Sequence, residues 1–270
     1  MGIFQFQREL FRRSIFKVFP QNSNWSLALL TSFPSCDSRL SPNRRLCMDN
    51  IQGGSGGMQF KQIPPNTERL GEIITHLRDT FFTDEPLNRA VKLCRPGEGH
   101  HELERHSEKT IRDGLSVMAI AESGEIAGVA LNGILRRGEV KKALDDLKDS
   151  KDERFKKIFK LLYEENLKVD LFEEFGVFKL FEIRILSVDC RFRGQGLAKK
   201  LLEKSEEVAK ENDFRVMKTD ATGLFSQKTF STLGYSTKSE YCYSLENGRS
   251  PDFMVDPPHD KLKIMYKVIE

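Results

Sequence analysis

The stretch Ile183-Arg-Ile-Leu-Ser-Val-Asp-Cys-Arg-Phe-Arg-Gly-Gln-Gly-Leu-Ala198, which runs on into Lys199–Lys210, decides how the rest of the chain is read. Ile183, Ile185, Leu186 and Val188 form a short apolar, β-branched run of the kind that makes a buried strand. Asp189 to Gly196 break that run with charge and glycine. From Leu197 the period changes, and Ala198, Leu201, Leu202, Ser205, Val208 and Ala209 fall on one face of a helix. The spacing therefore predicts strand, glycine turn, helix. Such a junction suits an anion, because free backbone N–H groups and the positive end of the helix dipole converge there. Arg193 adds a fixed positive charge at the mouth.

Two familiar phosphate loops are excluded by spacing. The Gly-Lys-Ser/Thr ending of a Walker loop is absent, and Lys199 stands where a dinucleotide fingerprint needs its third glycine. What remains, Arg193-x-x-Gly196-x-Ala198, resembles the pyrophosphate loop of the GNAT superfamily of acyl-CoA N-acyltransferases. An ordinary βα turn that happens to hold two glycines is the bland alternative.

Composition bounds the answer without deciding it. A chain of 270 residues holds one large domain or two small ones, and 39% hydrophobic content suffices for a core despite 31% charge. A net charge of +3 supplies no field that would argue for nucleic acid. Cys36, Cys47, Cys94, Cys190 and Cys242 lack paired spacing, which favours free thiols over disulfides or zinc. No apolar run approaches the roughly 20 residues that span a bilayer.

Residues 1–57 differ from the remainder. Glu9, Asp37 and Asp49 are their only acids, against Arg8, Arg12, Arg13, Lys17, Arg44 and Arg45, and Gln52-Gly-Gly-Ser-Gly-Gly57 reads as a flexible linker. Arg- and Ser-rich, acid-poor composition resembles a mitochondrial transit peptide. The alternative is a disordered, isoform-specific extension with Met48 or Met58 as a second start. A myristoylation signal at Gly2 fails because Phe6 sits where Ser or Thr is needed. The expected location is the cytoplasm, with the mitochondrion as the alternative this segment carries.

From Met58 the pattern predicts a strand to Ile63, and a helix capped by Asn66 or Thr67 and carried by Leu70, Ile73, Ile74, Leu77 and Phe81. A polar helix follows at 102–112, then a hairpin of strands 117–121 and 126–131. A charged loop or short helix spans 139–150, and a further helix carries Phe155, Ile158, Phe159 and Leu162. After the central strand and helix come strand 214–219, helix 224–233 ended by Gly234, and strands 235–245 and 261–268. This order predicts an α/β fold, a mixed central sheet with helices on both faces. It is also the GNAT order.

Phe81-Phe-Thr-Asp-Glu-Pro-Leu-Asn88, Leu131-Asn-Gly133, Lys156-Lys-Ile158, Ile185-Leu-Ser-Val-Asp189 and Arg193-Gly-x-Gly196 together resemble the insect-type arylalkylamine N-acetyltransferases, which include the dopamine N-acetyltransferases. The resemblance covers residues 58–270, and its most specific mark is Asp-Glu-Pro-Leu. It implies acetyl-CoA as co-substrate, a small-molecule amine such as dopamine, tryptamine, serotonin or octopamine as acceptor, and no metal. It implies Glu85 as general base, with Ser226 and Thr222 as hydroxyls that complete the site. The cofactor would lie along Leu186, Ser187 and Val188 and over Arg193, Gly194, Gln195, Gly196, Leu197, Ala198 and Lys199.

Two positions depart from the pattern. Thr222 stands where the family would have Ser, and its added methyl stiffens χ1. Phe230 stands where the wider superfamily often places a proton-donating tyrosine, so the acid would be Ser226, Thr222 or water. Taken on its own residues, Glu85 also reads as the N-terminal charge of a helix entered at Pro86. Ser226 reads equally as a helix-surface hydroxyl. His100, His101 and His106 have poor ligand spacing and are expected on a solvated polar face. The charge run 141–160 mixes both signs and reads as solvated helix surface. The alternatives in function are transfer to another amine such as a polyamine, transfer of a long acyl chain, and a non-catalytic acyl-CoA-binding protein. A monomer with no nucleic-acid or membrane partner is expected.

A chain beginning at Met58 should keep the melting temperature and turnover of the whole. Loss of either would show that the preceding residues pack on the domain.

Overall fold

The computed structural model describes residues 57–244 and 253–269. The readings made of residues 1–56 lie outside these, as does the expected strand end at Leu245. A seven-stranded sheet runs in the order β1-β2-β3-β4-β5-β7-β6. The strands are β1 (Gln59–Gln62), β2 (Val117–Ile120), β3 (Ile126–Arg136), β4 (Lys179–Val188), β5 (Val216–Ala221), β6 (Ser236–Cys242) and β7 (Lys261–Val268). Every neighbouring pair is antiparallel except β4 and β5, which are parallel. The helices are α1 (Leu70–Asp79), α2 (Phe81–Asp84), α3 (Pro86–Val91), α4 (His101–Arg112), α5 (Glu139–Asp146), α6 (Glu153–Leu167), α7 (Leu171–Phe175), α8 (Leu197–Glu211) and α9 (Leu224–Thr232). The mixed sheet predicted from the element order is the one observed.

Two apolar layers flank the sheet. On one face Leu77, Phe82, Leu87, Ile111 and Phe155 pack against Val129, Leu131 and Ile185. On the other Leu201, Leu202, Val208 and Phe230 pack against Val117, Ala119, Phe181 and Met217. Strands covered on both faces lose their alternation, which is why β3 is buried from Ile126 through Gly133.

The sequence predicts that β3 ends at Leu131. Instead the strand continues to Arg136. Buried Asn132 donates its amide nitrogen to Leu115 O at 3.0 Å and Ser205 Oγ at 2.9 Å, which satisfies both N–H groups and leaves Oδ1 buried without a partner. Gly133 gives room to Arg184, whose guanidinium would lie 2.6 Å from a Cβ there. The expected cap of α1 is also corrected. Arg69 occupies the cap position without a side-chain bond, and Thr67 Oγ1 instead accepts from Arg69 N in a local turn.

Opposite Leu131 and Asn132, β4 carries one extra residue. Leu131 faces Ile185 and Asn132 faces Ile183, so Arg184 is a bulge. On its other side β4 pairs with β5 only over Phe181–Ile183 against Met217–Thr219. Beyond Ile183 the two parallel strands separate, and Leu186–Val188 have a strand neighbour on the β3 side alone.

Close packing across β3 and β4 gives a direct test. A Cβ on Gly128 would stand 2.8 Å from Ser187 O and 3.1 Å from a Leu201 methyl. Because the nearer atom is backbone, Gly128→Ala should destabilise by about 1–3 kcal/mol, read as a lower urea midpoint at unchanged slope. An unchanged midpoint would mean that the strand pair yields freely.

Candidate active site

Glu85 is the single residue between α2 and α3. Its extended backbone (φ −63°, ψ 129°) ends one turn and begins the next, and Pro86 takes the first helical position. Oε2 accepts from Asn88 N at 2.6 Å, so one carboxylate oxygen caps α3. The bland role is therefore real. The other oxygen is different, since Oε1 is buried and has no hydrogen-bond partner of normal geometry. Burial pushes the Glu85 carboxyl above its ordinary range, against the opposing pull of Thr222 and of the Asn88 and Leu87 amides.

Asp84, the neighbouring acid, diverges. It is exposed and pairs with Arg193 at 2.7 Å. The last residue of α2 and the residue after it thus send their carboxylates in opposite senses, Asp84 to solvent and Glu85 inward.

Thr222 reaches Glu85 because the turn between β5 and α9 lies directly on Pro86. A Cβ on Gly223 would be 3.2 Å from Pro86 Cγ and 3.3 Å from His259 Nδ1, so glycine permits this approach. Two residues missed by sequence reasoning complete the surroundings. Tyr243 donates its hydroxyl to Thr222 O at 2.9 Å, and burial, then the charge of Glu85, raise its phenol. His259 Nδ1 accepts from Leu224 N at 3.0 Å and so caps α9, whose own cap position, Gly223, has no side chain. Burial lowers His259, which keeps Nδ1 free to accept. Both residues come from the connection between β6 and β7, far from Glu85 in sequence, and no local pattern marks them. Ser226 donates to Gly223 O at 2.8 Å and is thus engaged with its own helix.

The glycine loop has the expected form. Gly194 and Gly196 adopt φ of +79° and +76°, and α8 begins at Gly196 without a side-chain cap. Its first amides are therefore left for an anion. Leu197 is buried against the sheet, while Gln195 is exposed and Lys199 faces Glu203 at 3.6 Å. Arg193 does not stand alone at the mouth. Besides Asp84 it bonds Val188 O at 3.0 Å, which ties the loop to the end of β4. Asp189 holds the same turn by accepting from Arg191 N at 3.0 Å and from its guanidinium at 2.9 Å. Ser187 turns its hydroxyl away from the loop, toward Thr80 and His76 on the α1 side. Leu186 and Val188 pack on the opposite, α8 side.

Of the three histidines expected on a solvated face, only His101 is exposed. His100 caps α4 and stacks on Phe155, and His106 meets the edge of Phe159. Burial, then Arg184, push His106 down to about 4, so it is neutral at physiological pH. Both line a polar groove of about 1140 Å³ between α4 and the α5–α6 segment, which includes none of Glu85, Thr222, Ser226 or the glycine loop. Among the described residues no group of three or more His, Cys, Asp or Glu is placed to hold a metal, and no helix is long and apolar enough to cross a membrane.

A buried carboxylate with one idle oxygen, two nearby hydroxyls and an uncapped glycine-loop helix beside an opened sheet suit proton removal next to an anionic cofactor. Comparison with known proteins gives the family. Residues 76–235 match the Acetyltransferase (GNAT) family. The crystal structure of arylalkylamine N-acetyltransferase 2 from Aedes aegypti is similar with a TM-score of 0.75 and 57% identity, over 79% of this chain and 100% of that one. A Drosophila melanogaster polyamine N-acetyltransferase shares the fold at TM-score 0.69 and 19% identity, again over 79% of this chain and 100% of that one. The chain belongs to the GNAT family of acetyltransferases and is close to the insect arylalkylamine N-acetyltransferases.

Proposed function

We propose that the protein transfers the acetyl group of acetyl-CoA to the primary amine of an arylalkylamine of the dopamine, tryptamine, serotonin or octopamine type, with Glu85 as general base. The observation that carries this reading is the buried, unpartnered Oε1 of Glu85, one residue before the Pro86 contact that brings Thr222 alongside. The likeness to the Aedes enzyme supports the arylalkyl acceptor.

Acetyl-CoA, when bound, supplies an activated acetyl thioester. The residues of this chain would do the rest. The amides that open α8, from Gly194 to Lys199, would hold the pyrophosphate, and the edge of β4 at Leu186–Val188 offers backbone groups on its open side. An arylalkylamine reaches the site mostly as ammonium and must lose a proton before it can attack. Glu85 Oε1 takes that proton, directly or through one water, while Oε2 stays on Asn88 N and keeps the carboxylate aimed. Burial raises the carboxyl above its ordinary range, which strengthens it as a proton acceptor. Thr222, beside Glu85, is the better placed hydroxyl to assist thiolate departure. Ser226 would first have to give up its bond to Gly223 O.

Glu85→Gln keeps the cap on α3 and removes the base, so turnover at neutral pH should fall by roughly a hundredfold and recover as pH rises and the amine arrives deprotonated. Coenzyme A release measured with dopamine and tryptamine against agmatine and spermidine should favour the aromatic amines. A preference for the polyamines would overturn the acceptor class, and wild-type turnover in Glu85→Gln would overturn the base.

The same variant has a stability signature. A carboxyl whose folded pKa is raised binds its proton more tightly folded than unfolded. Its contribution is intact below the unfolded value near 4.5 and is lost as pH rises through the folded value. Glu85→Gln should therefore melt above the wild type near pH 8, by about 1.4 kcal/mol for each unit of elevation, with the gain vanishing near pH 4. A gain that does not depend on pH would point to packing rather than titration.

A further inference from the structure

The break between α1 and α2, where the chain turns toward Glu85, is held by a closed ring of three buried polar side chains. Thr80 Oγ1 lies 2.6 Å from His76 O and 2.7 Å from Ser187 Oγ, and Ser187 Oγ lies 3.1 Å from His76 Nε2. All three residues are buried. The proton order follows from the carbonyl, which can only accept. Thr80 donates to His76 O, Ser187 therefore donates to Thr80, and His76 Nε2–H donates to Ser187. Each hydroxyl gives one bond and receives one.

The ring joins two parts of the site that are distant in sequence. Thr80 is the cap residue of α2 (φ −125°, ψ −69°) and makes no side-chain bond to its own helix, because its hydroxyl is used in the ring. Helix α2 is a single turn and has no stability of its own. Ser187 sits on the segment of β4 that has lost β5 as a neighbour. A second tie between the same elements, Asp84–Arg193, is about half exposed and so is worth little.

We infer that Thr80, Ser187 and His76 are positioning residues: a buried clasp that fixes the distance between Glu85 and the open edge of β4. This deepens the general-base reading and rests on it. It also gives Ser187 a role other than cofactor contact through its side chain. The lever is short but sufficient. Five residues of helical chain from Thr80 to Glu85 span about 7 Å, so a rotation of roughly 10° at Thr80 moves the carboxylate by about 1 Å. A misplacement of that size can cost on the order of a hundredfold in rate.

The test is a cycle of Ser187→Ala, Glu85→Gln and the double variant, assayed with saturating tryptamine at pH 9, where the Gln enzyme is still measurable. Ser187→Ala should lower kcat by about ten- to a hundredfold and leave the acetyl-CoA KM within about twofold. In the Glu85→Gln background the same substitution should cost almost nothing, because the clasp acts through the carboxylate. Thr80→Val should copy Ser187→Ala and Thr80→Ser should restore kcat, which keeps the test usable if Ser187→Ala does not fold. A raised acetyl-CoA KM at unchanged kcat would make Ser187 a cofactor residue and overturn the clasp. An undiminished loss in the Gln background, with Glu85→Gln itself impaired, would overturn the clasp alone. Wild-type turnover in Glu85→Gln would sink the general-base reading and the clasp with it.

Discussion

The separation of β4 from β5 after Ile183 is the constraint on which the rest depends. Parallel strands share a ladder only while both stay in register, and here the shared part is three residues long. Past it, backbone groups of β4 would be left without partners in a closed core, where each lost bond costs about 1–3 kcal/mol. The chain answers by terminating the pairing with charge. Glu182 and Lys218 face each other across the last rungs, and Lys218 Nζ bonds Glu182 and Asp220 at 2.8 Å each. Burial opposes the charge on Glu182, but Lys218 and Arg184 outweigh it and hold the carboxyl well below its usual range. Thr219 Oγ1 then donates to Ile183 O at 3.0 Å and closes the ladder from the side. Beyond that point the sheet is open by construction rather than by accident of packing.

The opening determines where everything else stands. The bulge at Arg184 sends its guanidinium to Thr110 Oγ1 and Ile134 O, which braces β4 against α4 and β3 just where β5 leaves it. Downstream, the fork of Arg191 across Asp189 and Glu125 fixes the turn that leads into the glycine loop. Such a turn, with two glycines at positive φ, would otherwise be the softest part of the chain. Rigidity has been placed around the loop and left out of the loop itself.

Much of this was legible in the sequence, for a reason that can be stated residue by residue. Leu197, Leu201, Leu202, Val208 and Ala209 announce α8 because a helix that packs on a sheet must repeat its apolar stripe. The Gly194–Gly196 turn is legible because positive φ demands glycine. Glu85 is a harder case, since one sequence pattern describes both a helix cap and a base, and the carboxylate has an oxygen for each. The end of β3 was not legible, because only the fold supplies Leu115 O and Ser205 Oγ to accept from the buried Asn132 amide nitrogen. Tyr243 and His259 were invisible. They enter through contacts between segments that local periodicity cannot connect.

At Glu85 the structural role and the proposed reactive one fall on different oxygens of one carboxylate. A carboxylate with both oxygens bonded would be a good cap and a poor base, because its bonds would favour the charged form and lower its proton affinity. With both oxygens free it would be mobile. Dividing the two oxygens fixes the group through Oε2 and leaves Oε1 desolvated and idle. Pro86 makes the division stable, since its ring sets the backbone angle at the first helical position and packs beneath Gly223. The same proline thus aims the carboxylate and seats the turn that carries Thr222, so the spacing of the Glu85 carboxylate and the Thr222 hydroxyl is set by one rigid ring.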